Sequence, residues 1–108
     1  MINIADFEKV ELRTGKIIEV NDVENARKPL YRLSVDLGEC GIRNIVAGIK
    51  SQYAKDELMG KMIVCVVNLE PKTVAGIESQ GMLLAAGSEE EISLIVPERG
   101  IAEGSAVH

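Results

Sequence analysis

With 108 residues and seventeen Asp/Glu against twelve Lys/Arg, the chain carries a formal charge of −5 and has room for one domain with a single small core. Its 46% hydrophobic and 27% charged residues are the balance of a globular protein, and apolar runs such as Met62 to Val67 are far too short to span a bilayer. Asp6 and Glu8 stand where a signal peptide would need a basic flank and an apolar run, so a cytoplasmic protein without a membrane partner is expected.

In chain order, Ile4 to Val10 predicts one helical turn capped by Asn3. Val10 to Val20 reads as a long strand whose even apolar row is broken by Lys16, which predicts a bulge or bend at Gly15. Asn25-Ala26-Arg27-Lys28-Pro29 forms a basic loop stiffened by its proline. Tyr31, Leu33, Val35 and Leu37 then alternate with Arg32, Ser34 and Asp36, the pattern of a half-buried strand. Gly38 to Gly41 turns the chain into a strand over Ile42 to Ile49. Ser51 to Met59 predicts a short helix with Ser51 as N-cap and Gly60 as terminator. Lys61 to Leu69 reads as a central strand, Met82 to Ala86 and Ile92 to Val96 complete the set, and Ile101 to Val107 runs on beyond. Five or six strands with one short helix between the third and fourth predict an all-β domain. The order is that of an OB-fold, a five-stranded Greek-key barrel with N- and C-terminal extensions, and an SH3-like barrel is the alternative. The barrel is placed at about 7–87 and the C-terminal extension at about 88–108.

Catalysis is poorly supplied. The single histidine is His108, the last residue. Gly76 to Gly81 has the wrong glycine spacing for a nucleophile elbow, and neither a Walker sequence nor a dinucleotide fingerprint is present. No cofactor and no metal site are expected, and Cys40 and Cys65 are expected to be buried free thiols. Binding is better supplied, because the −5 is unevenly spread. Met1 to Ile77 is neutral, Glu78 to His108 holds six Glu and one Arg, and Asn25 to Lys61 carries seven cations against four anions. A local positive face suits phosphate. Arg27 and Lys28 in the first loop flank the usual OB ligand groove, and Arg32, Ser34 and Arg43 are expected on one face. Of the aromatic residues, Phe7 and Tyr31 are expected in the core, and Tyr53 is the one placed to stack on a base.

The segment Gly76-Ile77-Glu78-Ser79-Gln80-Gly81-Met82-Leu83-Leu84-Ala85-Ala86-Gly87 joins a polar, glycine-bounded loop to an apolar strand. On its residues alone it reads either as a recognition edge or as a hairpin loop whose Ser79 and Gln80 are satisfied internally. Together with the preceding Val67-Asn68-Leu69-Glu70-Pro71, it resembles the tRNA-binding domain family. Members include free-standing homodimers, the β-subunit or C-terminal appendix of methionyl-tRNA synthetases, and related export chaperones. The resemblance covers about Phe7 to Gly87. Many tRNA-binding members carry His-Pro-x-Ala-Asp-Lys-Leu after the first strand, where this chain has Glu24-Asn25-Ala26-Arg27-Lys28-Pro29-Leu30, closer to the chaperones.

The resemblance implies a non-catalytic module that binds tRNA, with methionyl-tRNA synthetase as a candidate partner. Ser79, Gln80 and Met82 would meet the tRNA at the barrel edge, while Arg27, Lys28, Arg32, Arg43 and Lys50 would meet phosphates. The alternatives are a homodimeric chaperone for unfolded precursors and a structural oligomerisation module. Apolar residues in both termini (Ile2, Ile4 and Phe7; Ile92, Leu94, Ile95, Val96, Ile101, Ala102 and Val107) predict a homodimer built on the terminal segments.

Overall fold

The computed structural model describes residues 1–108. Asn3 caps α1 (Ile4–Glu8) as expected, its Oδ1 accepting from the Asp6 amide at 2.9 Å. The chain then enters β1 (Leu12–Asp22), β2 (Tyr31–Asp36), a 3₁₀ turn (Gly38–Cys40) and β3 (Ile42–Ala47). After α2 (Lys55–Leu58) come β4 (Met62–Val66), β5 (Lys72–Val74), β6 (Ile77–Ser79), β7 (Met82–Leu83), β8 (Ala85–Gly87), β9 (Ile92–Leu94) and β10 (Ala106–Val107). One antiparallel sheet runs β3-β2-β1-β4-β7, with β10 added to β1. Contacts between β3 and the β6–β7 segment bring its two ends together, so five strands form a nearly closed barrel of OB order.

The alternation in β2 is the clearest link from sequence to core. Tyr31, Leu33, Val35 and, just beyond, Leu37 are buried against Ile17, Ile45, Leu58, Ile63 and Cys65. The irregularity predicted at Gly15 lies further on. The β1–β2 register slips between Ile17 and Glu19, so Ile18 and Glu19 both face out and the inward row passes from Ile17 to Val20. Gly15 is needed for room instead, since a Cβ there would stand 2.5 Å from Val35 Cγ1.

Three further expectations are corrected. The second helix begins at Lys55, not Ser51. The Ile49 carbonyl accepts from the amides of Gln52 and Tyr53, which folds Ser51 into a turn, and Glu57 reaches back to the Ala54 amide at 2.9 Å. The strand expected over Met82 to Ala86 splits at Leu84, whose amide bonds Val64 and whose carbonyl accepts from Ile95. Phe7 lies outside the core and is 38% exposed, because α1 has no buried residue and only leans on the barrel end.

The C-terminal extension is fastened to its own barrel. Thr14, 3% exposed, donates its hydroxyl to Ala102 O at 2.8 Å and accepts from the Ser105 amide at 3.0 Å. Its main chain bonds Ser105 and Gly104. Gly104, with φ 79°, sits so close that a Cβ would come within 2.5 Å of the Leu37 carbonyl. Leu94 is buried and Ile92 packs on the core, whereas Ile95, Val96 and Ile101 remain exposed. No helix is long and apolar enough to cross a membrane.

Candidate nucleic-acid interface

The polar segment Ser79-Gln80-Gly81 is where the barrel closes. β3 presents its outer edge, the amides of Asn44 and Val46, to this segment rather than to another strand. Gln80 N donates to Asn44 O at 2.8 Å, and on either side a side chain stands in for a missing backbone carbonyl. Ser79 Oγ accepts from Val46 N at 3.0 Å, and Gln80 Oε1 accepts from Asn44 N at 3.0 Å. The Ser79 hydroxyl then donates to Gly81 O at 3.2 Å, and Gln80 Nε2 approaches Glu78 Oε1 at 3.5 Å. Gly81 fits because even a Cβ there would lie 3.0 Å from Val66 O. Ser79 is 7% exposed and Gln80 half-buried, while Met82 beside them is 49% exposed.

The cations separate into those held by the protein and those left open. Arg32 and Arg43 do not share a face. Arg32 is paired with Val46 and Arg43 with Val35, and with a side-chain period of two these pairs point to opposite sides of the sheet. Arg43 therefore points toward the core side and spans the barrel mouth, its Nη1 donating to Val67 O and reaching Gln80 O at 3.5 Å. Arg32 stands on the outer face with Ser34 and Asn44, outside every ion pair in the molecule. Lys50 lies 2.9 Å from Asp22 Oδ1 and 5.9 Å from the Tyr31 ring centroid. Asp22 also takes Lys55 at 2.7 Å, and the hydrogen bonds from Lys55 and Lys50 hold its carboxyl below the usual aspartate range. Arg27 sits unpaired and exposed on the β1–β2 loop, while neighbouring Lys28 comes to 4.0 Å from Glu89.

Tyr53 is drawn into the barrel wall. Its hydroxyl accepts from the Leu94 amide at 3.1 Å, and its carbonyl accepts from Tyr31 Oη at 2.8 Å. Tyr31 is core, as its register predicted. Both thiols are free. Cys65 is buried and its thiol is pushed up to about 12 by desolvation, while Cys40 is half-buried.

Sequence reasoning missed the β5–β6 hairpin, which walls a groove of about 560 Å³ against the outer edge of β3. Val46, Leu69, Val74 and Met82 give it apolar walls, and Glu70 and Lys72 bring opposite charges to it. Its signal was the Ala75-Gly76 pair, a two-residue turn with both φ angles positive (49° and 80°) flanked by the β-branched Thr73-Val74 and Ile77. Arg32 adjoins the groove through its partner Val46, and the β1–β2 loop carries Arg27. These are the surfaces with which OB barrels take oligonucleotides, the faces of strands two and three with the first and last connecting loops.

The profile of the family described as "Putative tRNA binding domain" matches residues 12–106. The chain belongs to the tRNA-binding domain family. It is 48% identical over 106 residues to a methionine–tRNA ligase of Pyrococcus horikoshii, covering 98% of this chain and 14% of that protein. The chain thus spans about a seventh of the length of such curated relatives. Among solved structures it superimposes on the CsaA chaperone protein of Picrophilus torridus with a TM-score of 0.92 at 38% identity, over the full length of both chains. A MetRS-related protein of Pyrococcus horikoshii gives a TM-score of 0.90 at 35% identity, covering 100% of this chain and 98% of that one.

Proposed function

We propose that this chain is a non-catalytic tRNA-binding module that raises the tRNA affinity of a methionyl-tRNA synthetase or binds tRNA as a free-standing homodimer. Arg32 carries this reading. It is an unpaired guanidinium on the outer face of β2, directly beside the β3 residue that lines the groove. Arg27 and Lys28 extend the cationic track on the β1–β2 loop, and Met82 offers an apolar contact at the barrel edge. Ser79, Gln80 and Arg43 enter as the framework of that edge, since their polar atoms are engaged with the protein's own backbone. Lys50 joins only if phosphate displaces Asp22.

Few free cations mean few phosphates neutralised. With roughly four contacts, log affinity for tRNA falls against log salt with a slope near −3, and Arg27→Ala with Arg32→Ala flattens it by one to two units. The titration is run with bulk tRNA against an unfolded polypeptide competitor. The apolar walls of the groove favour one second reading, a chaperone that takes apolar polypeptide segments. Salt-independent binding of the polypeptide, with no binding of tRNA, decides for that reading.

A further inference from the structure

We propose that the groove between β3 and the β5–β6 hairpin receives one unpaired nucleotide of the bound tRNA, with Glu70 reading its base and guanine preferred. This rests on the tRNA-binding reading and names what that site recognises. The groove has two kinds of wall. Val46, Val74, Leu69 and Met82 are apolar, and the last two stay 48% and 49% exposed although they flank a concave site. Glu70 and Lys72 supply the charge, and neither forms an ion pair with the other or with any other residue. Ser79, the remaining polar lining group, is committed to Val46 N and Gly81 O.

That combination matches a nucleobase better than a phosphate. A pure phosphate site has no use for a carboxylate, which repels the anion. An unstacked base has two apolar faces for the walls and a polar edge for the carboxylate, and single-stranded nucleotides are the ones that can present those faces. An ionised carboxylate only accepts hydrogen bonds. Guanine offers N1–H and the N2 amine side by side on its Watson–Crick edge, one for each carboxylate oxygen. Adenine and cytosine offer a single amine beside a bare ring nitrogen, and uracil a single imino group between two carbonyls. Lys72 is placed for the phosphate of the same nucleotide, and Arg32, beyond Val46, for the next along the strand. The walls are aliphatic and thioether rather than aromatic, so a free nucleotide binds weakly and most of the affinity for tRNA comes from the backbone contacts.

The test is amide NMR of the full chain titrated in turn with GMP, AMP, CMP and UMP, alongside binding of bulk tRNA. The expected result is shifts at Val46, Val74, Gly81 and Met82, with GMP saturating at the lowest concentration. Glu70→Gln should abolish the guanine preference, and Lys72→Ala should weaken GMP and tRNA severalfold; both side chains are exposed, so the fold is unaffected. If tRNA binds normally while nucleotides leave the groove amides unmoved, or move them equally for all four bases, the inference is overturned and the tRNA reading stands. If tRNA does not bind and an unfolded polypeptide shifts the same amides, both fall together.

Discussion

At the residue scale, one hydroxyl decides whether the signature segment is a contact surface or a fastening. Ser79 is buried and caps the half-buried Val46 amide, so Ser79→Ala leaves a partly buried donor without its partner, a loss of about 1 kcal/mol. Thermal or urea unfolding should register that loss even without tRNA, whereas Met82→Ala, at an exposed side chain, should leave stability nearly unchanged. Equal stability of the wild type and Ser79→Ala would refute the fastening. Cys65 sets a second expectation. Burial raises its thiol from 9.0 to about 12, so the folded state keeps the proton that the unfolded state releases. Its contribution is complete below pH 9 and is lost as pH rises toward 12, at about 1.4 kcal/mol per pH unit. Cys65→Ala should flatten the alkaline arm of the stability–pH profile, and an unaltered arm would argue against this source. Serine at position 79 was legible as either a contact or a satisfied loop residue, and the sequence alone did not separate the two. A hydroxyl has the same donors and acceptors whether it faces a ligand or its own main chain, and only the edge position of Val46 distinguishes the two.

At the element scale, the core strands were legible and their accessories were not. The alternation of Tyr31 to Leu37 fixed which face of β2 is buried, because nothing interrupts its period of two. In β1 the same reasoning put the break at the glycine, the residue that permits bends. Gly15 proved to be a matter of packing against Val35 and Leu37, and the extra residue is Ile18. The β5–β6 hairpin escaped notice because three-residue strands leave too little periodicity to read. Lys50 looked free because its partner, Asp22, lies 28 positions earlier and meets it only once β1 and the β3–α2 turn are in place. That pairing gives a prediction opposite in sign to most substitutions. Asp22→Asn removes the carboxylate that binds Lys50 and Lys55, so tRNA affinity should rise and the salt dependence should steepen by one to two units. An unchanged slope in filter binding would place both lysines outside the tRNA footprint.

At the scale of the whole molecule, the surface is too large for the mass. A monomer of 11.7 kDa exposes about 5,900 Å² by the usual scaling. This chain exposes 7104 Å², and much of the apolar share lies in the two terminal segments. Ile2 and Ile4 are 70% exposed and Phe7 38%, while Ile101 stands at 50% and Val96 at 47%. The two termini also meet, since Phe7, Val10, Leu12 and Val107 line a common depression of about 360 Å³. The surplus exceeds what one partner of a standard interface buries, about 800 Å². These features support the proposed homodimer, in which two copies cover each other's terminal segments and a single tRNA can engage two recognition faces at once. Removing the extension is the wrong test, because Leu94 belongs to the core and Thr14 is bonded to Ala102 and Ser105, so truncation would damage the barrel itself. Ile4→Asp with Ile101→Asp places charges on exposed positions and leaves those contacts alone. In sedimentation equilibrium at micromolar concentration the wild type should run at twice the chain mass and the double variant at one. A folded wild type with the mass of one chain would end the proposal. If the dimer is what strengthens a weak single site, the monomeric variant should also lose tenfold or more in tRNA affinity while keeping its nucleotide-induced NMR shifts, because the groove lies wholly within one chain.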